Sequence, residues 1–180
     1  MSEKRLSKKD ALLPHHETYL RPETHLEGAS ILEVVKEVKP TILLGLSGVG
    51  GIFSQEVCAE MGRVNEAPVI FAMSNPSNHA ECSSEQVFAA TNGKAIFASG
   101  SPFEDVVTKE GKLCKSNQGN NMYIFPGIGL GVVVAGCNLV TNGMILCAAE
   151  ALARSMKQSE LDIGMVYPNI ENIREVCIWP

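Results

Sequence analysis

Three short apolar runs, each closed by a polar or glycine-bearing turn, constrain this chain most. They are Thr41-Ile42-Leu43-Leu44-Gly45-Leu46, Pro68-Val69-Ile70-Phe71-Ala72-Met73 and Ala95-Ile96-Phe97-Ala98. None alternates apolar with polar, the pattern of a strand buried on both faces. Helical patterns lie between them. Ser30 and Glu33 have capping-box spacing, and Ile31, Val34, Val35 and Val38 follow at helical intervals until Lys39-Pro40. A second helix is expected near Ile52–Met61, and Ser83 and Gln86 cap a third. Helices alternating with buried strands predict an α/β fold with a parallel sheet. Val106 to Lys115 reads as a polar excursion. Long helices are expected over about Gly129–Val140 and Thr141–Met156, with a short one near Asn169. Residues 1–26 hold Pro14 and Pro22 and no sustained period, and read as loop.

The 180 residues suffice for one domain with a core, and no internal repeat or boundary divides them. Apolar residues make up 45% and charged residues 19%, which excludes a disordered chain. The net charge of −5 and the lack of a basic, aromatic-studded stripe argue against nucleic acid. Lys4, Arg5, Lys8 and Lys9 are mixed with Glu3 and Asp10 and read as a solvated terminus. Six cysteines form no CxxC pair, so zinc spacing is absent, and a reducing compartment is expected. The first thirty residues lack the apolar core of a secretion signal and are too acidic for a transit peptide. Ser116 to Ala149 carries no charge, as a membrane span would. Its proline, glycines and asparagines are costly in lipid, so a buried helical region is expected and no membrane.

The loop Ser47-Gly48-Val49-Gly50-Gly51 follows a strand and opens a helix, where backbone N–H groups can face an anion. It is not GxGxxG, and no acidic residue ends the following strand to hold a ribose; Asn75 sits there instead. The loop reads either as a later βα unit of a dinucleotide fold or as a packing turn. Asn75, before Pro76 at a strand's carboxyl end, could meet a ligand as donor and acceptor or merely cap a turn. Of the adjacent Asn120 and Asn121, one could reach a substrate carboxylate or a nicotinamide ribose while the other holds the loop. The bland alternative is a polar loop before a helix. Ser99-Gly100-Ser101 is a ligand-facing loop or a turn. His15, His16 and His79 read as surface residues, and Glu81 and Glu85 as acids suited to a helix start. No nucleophile–base pair and no general acid or base stands out.

Five ordered motifs over about 140 residues resemble the malic enzymes. They are Lys39–Gly45 with its glycine loop; Ile70-Phe71-Ala72-Met73-Ser74-Asn75-Pro76 with Ala80-Glu81-Cys82; Ile96–Phe103; Asn120-Asn121-Met122-Tyr123-Ile124-Phe125-Pro126-Gly127; and Tyr167-Pro168 with Ile173-Arg174. The wording is most similar to the plant mitochondrial NAD-dependent branch. The resemblance implies a partial Rossmann-type parallel sheet with flanking helices. Residues 1–180 then form the carboxyl-terminal portion of an NAD(P)-binding domain, the amino-terminal domain being absent. It implies oxidative decarboxylation of malate to pyruvate and CO₂ with NAD, or NADP as the alternative, and Mg²⁺ or Mn²⁺ held by ligands outside this chain. By position, Asn75, Asn120 and Asn121 bind substrate, and Ser47, Gly48, Val49, Gly50, Asn75 and Asn120 bind cofactor. The family's tyrosine, lysine base and metal ligands have no counterpart here. The chain alone is therefore expected to be inactive, with no catalytic or metal residue. Assembly as a homo- or hetero-oligomer in the mitochondrial matrix is implied, with chloroplast or cytoplasm as alternatives. The rivals are a non-catalytic subunit that regulates a full-length homologue, and a membrane-anchored form using residues 116–149.

Overall fold

A computed structural model describes residues 25–174; expectations for His15, His16, the basic cluster and Cys177 fall outside them. Among the described residues the α-helices and strands follow the chain order α1 (Ile31–Val38), β1 (Ile42–Gly45), α2 (Gln55–Val64), β2 (Val69–Ala72), α3 (Ser84–Thr91), β3 (Ile96–Ser99), β4 (Val106–Val107), β5 (Leu113–Cys114), β6 (Ser116–Gln118), α4 (Phe125–Val134), α5 (Asn142–Arg154) and α6 (Gln158–Asp162). The local signals act as anticipated at α1 and α3, whereas α2 starts three residues later than expected, behind Ser54. Ser30 Oγ accepts from the Glu33 N–H, and the Glu33 carboxylate accepts from the Ser30 N–H at 2.7 Å. Ser54 and Ser83 cap α2 and α3 through their hydroxyls, which accept from the Val57 and Gln86 N–H groups.

Four strands form one parallel sheet in the order β1-β2-β3-β6. Ile70 and Ala72 of β2 and Phe97 of β3 share one face. They pack with Val35 of α1, Val57, Cys58 and Met61 of α2, and Val87 and Phe88 of α3. Edge-to-face contacts run from Phe88 through Phe97 to Phe103, each pair 6.0 Å apart. This is the expected α/β, Rossmann-type arrangement of parallel strands flanked by helices.

Several expectations need correction. The strand β1 is not buried on both faces: Ile42 is 59% and Leu44 53% exposed, because among the described residues β1 is a sheet edge and no helix covers its second face. The polar excursion is an antiparallel hairpin, Val106 pairing with Cys114 and Val107 with Leu113. Directly after it, Ser116-Asn117-Gln118 forms the fourth parallel strand. The helix expected over 129–140 runs instead from Phe125 to Val134. It ends in a Schellman turn: Gly136 has φ +62°, its N–H donates to the Val133 carbonyl, and the Cys137 N–H donates to the Val132 carbonyl. A short α6 occupies a stretch with no anticipated element. Phe125, Leu130, Val133 and Val134 are exposed, so α4 is not the buried helix anticipated. Among the described residues, no helix is long and apolar enough to cross a membrane.

Candidate functional site

The sheet register places Gly45, Ala72, Ser99 and Gln118 in one row at the carboxyl ends of their strands. The segments after them, which begin at Leu46, Met73, Gly100 and Gly119, therefore leave the sheet at the same end. In open α/β sheets that end is where ligands bind. All seven site residues anticipated from the sequence lie on these segments.

The first two segments are joined by a carboxylate that sequence reasoning read only as a helix-start acid. Glu81 is wholly buried. Its Oε1 accepts from the Ser47 N–H at 3.0 Å, the Ser47 hydroxyl at 3.1 Å and the Ser74 hydroxyl at 2.5 Å; its Oε2 accepts from the Ser74 N–H at 3.3 Å. Burial alone would raise its pKa. The donors from Ser74 and Ser47 outweigh that and hold the carboxyl below the usual carboxylate range. Gly45 must be glycine, because a Cβ there would come within 2.5 Å of the Glu81 carboxyl carbon. That contact, a glycine at the end of one strand opposite an acid after the next, is the sequence signal that was available.

Around this carboxylate the glycine loop is closed on itself. The Gly48 N–H donates to the Ser74 hydroxyl oxygen, the Val49 N–H to the Ser47 hydroxyl oxygen and the Gly51 N–H to the Ala80 carbonyl. His79 is exposed as anticipated, but its Nδ1 meets the Gly48 carbonyl at 2.8 Å, so Nδ1 carries the proton there. With the Ser47 N–H on Glu81, four N–H groups of the loop are committed to acceptors within the protein.

Asn75 is exposed and precedes a cis bond to Pro76. Its Oδ1 accepts from the Ser101 hydroxyl at 2.7 Å, which orients the amide and leaves Nδ2 without a partner among the described residues. Ser101 thus belongs to the site through Asn75. Asn120 and Asn121 divide the two roles left open by the sequence. Asn120 Oδ1 accepts from the Met122 N–H and caps the turn Asn121–Tyr123. Asn121 is exposed, and its side chain has no hydrogen-bond partner among the described residues. Both line a cleft of about 370 Å³ with Gly119, Ala153, Val166 and Tyr167.

The far wall of that cleft is strapped to the sheet by Asn117. Its Nδ2 donates to the Phe97 and Gly164 carbonyls at 2.9 and 3.0 Å, and its Oδ1 accepts from the Val166 N–H at 2.8 Å. Tyr167 stacks on Tyr123 at 5.6 Å, and the Tyr123 hydroxyl donates to the Pro168 carbonyl at 2.8 Å. Burial raises the pKa of both phenols, so both stay protonated at neutral pH.

No group of three or more His, Cys, Asp or Glu among the described residues could hold a metal, so these residues do not fit a divalent-metal site. Cys58 and Cys82 are buried and free, and the neighbouring Cys58 together with burial pushes the Cys82 thiol up. Cys137 and Cys147 are exposed, unlike the buried Cys58, Cys82 and Cys114.

The comparisons with known proteins agree with this arrangement. The family described as "Malic enzyme, NAD binding domain" matches residues 5–179. The chain is 49% identical to "NAD-dependent malic enzyme 2, mitochondrial" of Arabidopsis thaliana, over 93% of this chain and 29% of that protein. It is 48% identical to "NADP-dependent malic enzyme" of Dictyostelium discoideum, over 93% and 30%. The human "NADP-dependent malic enzyme" is 44% identical over 86% and 27%. The chain thus spans less than a third of the length of these relatives. With its parallel sheet and asparagine-bearing strand ends, it belongs to the malic enzyme family, as a member of that family's NAD-binding domain.

Proposed function

We propose that this chain supplies the malate- and nicotinamide-facing part of an NAD-dependent malic enzyme, which oxidises and decarboxylates malate to pyruvate and CO₂. The observation that carries this reading is the shared strand end, where Asn75 Nδ2 and the Asn121 side-chain amide have no hydrogen-bond partner among the described residues. In this reading Asn75 donates through Nδ2 to malate or to the nicotinamide side of the cofactor, its direction set by Ser101. Asn121 meets the substrate from the cleft, while Asn120 holds the turn and touches cofactor. Residues Ser47–Gly50 line the cofactor side without binding phosphate. The nicotinamide, when bound, supplies the hydride acceptor; the chain's own part is to bind and orient. The described residues hold no metal site, so a divalent ion and a general base would come from other parts of the protein. Relatives with NAD and NADP in their names are equally similar, so both cofactors belong in the test. The mitochondrial name of the Arabidopsis relative supports the mitochondrial matrix, and assembly into an oligomer completes the proposal.

The test is a chimera in which residues 27–168 replace the matching segment of the Arabidopsis enzyme. It should reduce NAD in the presence of malate. Asn75→Ala or Asn121→Ala in that chimera should lower kcat/KM for malate by about 10–150-fold, the effect of losing a hydrogen bond to a charged substrate of about 1.5–3 kcal/mol. Unchanged kinetics in both variants would return these residues to simple turn roles.

A further inference from the structure

Among the described residues, the buried carboxylate beneath the strand ends has no partner of opposite charge. Among the described residues Glu81 meets neutral donors: the backbone N–H and hydroxyl of Ser47 and of Ser74, with its own backbone N–H beside them. Those two serines belong to different βα segments, following β1 and β2. A carboxylate accepts through both oxygens and brings no donor of its own, so it can serve all of these N–H and O–H groups at once. A carboxamide cannot, because it brings its own N–H₂ against one of the two backbone N–H groups, which have no alternative role. The bonds pass outward from there. The Ser74 hydroxyl accepts from the Gly48 N–H, and Asn75 is the next residue along the chain.

We propose that Glu81 is the positioning residue of this site, its ionised carboxylate locking the Ser47–Gly51 loop and the Ser74–Asn75 turn into one rigid rim. The proposal rests on the dinucleotide reading for what the rim faces. The rim itself is defined by the chain's own hydrogen bonds. Glu81 touches neither substrate nor cofactor in this account; it acts through Ser47, Gly48 and Asn75.

The experiment compares amide hydrogen exchange in the full 180-residue chain and its Glu81→Gln variant, with binding of β-nicotinamide mononucleotide followed by ligand-observed NMR. Exchange at Ser47, Gly48 and Ser74 should rise at least tenfold in the variant, while amides of α2 and α3 such as Met61 and Phe88 keep their rates. Mononucleotide binding should weaken at least tenfold in parallel. If Glu81→Gln fails to fold, the double variant Ser47→Ala/Ser74→Ala keeps the carboxylate and both backbone donors. It removes the hydroxyl links, and it should loosen Gly48 and Val49 selectively while leaving the Ser47 amide protected. Exchange that rises uniformly across the chain, or a loosened rim that binds the mononucleotide with unchanged affinity, would overturn the proposal. If the unaltered chain shows no mononucleotide binding, the dinucleotide reading is what fails. The pattern of exchange then decides Glu81 by itself.

Discussion

Replacing Asn117 by alanine should release the far wall of the cleft. The side chain is only 7% exposed and makes three well-placed bonds, to the Phe97 carbonyl, the Gly164 carbonyl and the Val166 N–H. Two of these hold the segment 164–166, which continues into Tyr167 and the Tyr123–Tyr167 stack. A typical hydrogen bond contributes about 0.5–1.5 kcal/mol net, so three give roughly 1.5–4.5 kcal/mol. The freed carbonyls and N–H become partly hydrated once the segment lifts, which favours the middle of that range, about 2–3 kcal/mol. Asn117→Asp should be worse than alanine. It keeps the acceptor for Val166 but turns a carboxylate oxygen toward the Phe97 and Gly164 carbonyls. Urea unfolding gives the global change, and amide exchange at Val166 reports the segment. A loss below about 1 kcal/mol with Val166 protection unchanged would show that residues 164–168 are held by ring packing alone, and would refute the strap.

Two further predictions concern the surface and the pH response. The chain by itself should self-associate in size-exclusion chromatography with light scattering, since Ile42 and Leu44 stand exposed on an unpaired edge strand and Phe125, Val133 and Val134 on α4. Leu44→Lys should shift the population toward monomer, and a monodisperse monomer of the unaltered chain would contradict the expectation. Glu81 and Asp105 both have pKa values held low, Glu81 by its donors against burial, Asp105 by Lys115 and the Ser116 N–H against burial. A depressed folded pKa means that the stabilisation is complete above the unfolded value and fades as pH falls through the folded one. Stability should therefore be flat above about pH 5 and fall on acidification below the ordinary carboxylate range. The Glu81→Gln variant should lose its share of that fall; an identical pH dependence would contradict the assignment.

The elements legible in the sequence were those with a local cause. Ser30 with Glu33 and Ser83 with Gln86 announced two helices, and three unbroken apolar runs announced three strands, all realised within a few residues. The strand β6 was hidden because Ser116-Asn117-Gln118 has no apolar period. Its middle side chain is buried to bind distant backbone rather than to pack apolar surface. The exposed face of β1 was misread for the opposite reason: an apolar run reports a capacity for burial, and what covers it is a tertiary fact. At the site, Asn75, Asn120 and Asn121 were visible as unusual amides at turns. Glu81 was not, since its bonds depend on the fold bringing Ser47, 34 residues away, beside Ser74. The division of labour within the asparagine pair likewise needed the turn geometry that commits Asn120 Oδ1 to Met122.

The most direct test of the central claim is titration of the ¹⁵N-labelled chain with NAD, observing side-chain amides as well as backbone. The account predicts that the Asn75 and Asn121 side-chain amides shift together with the backbone of Ser47–Gly50 and Asn120, and that malate adds to the change at Asn75 and Asn121. Amides of the β4–β5 hairpin, away from the strand ends, should stay still. Saturable shifts centred on any other surface, or none at the asparagines at cofactor concentrations that saturate the Arabidopsis enzyme, would contradict it.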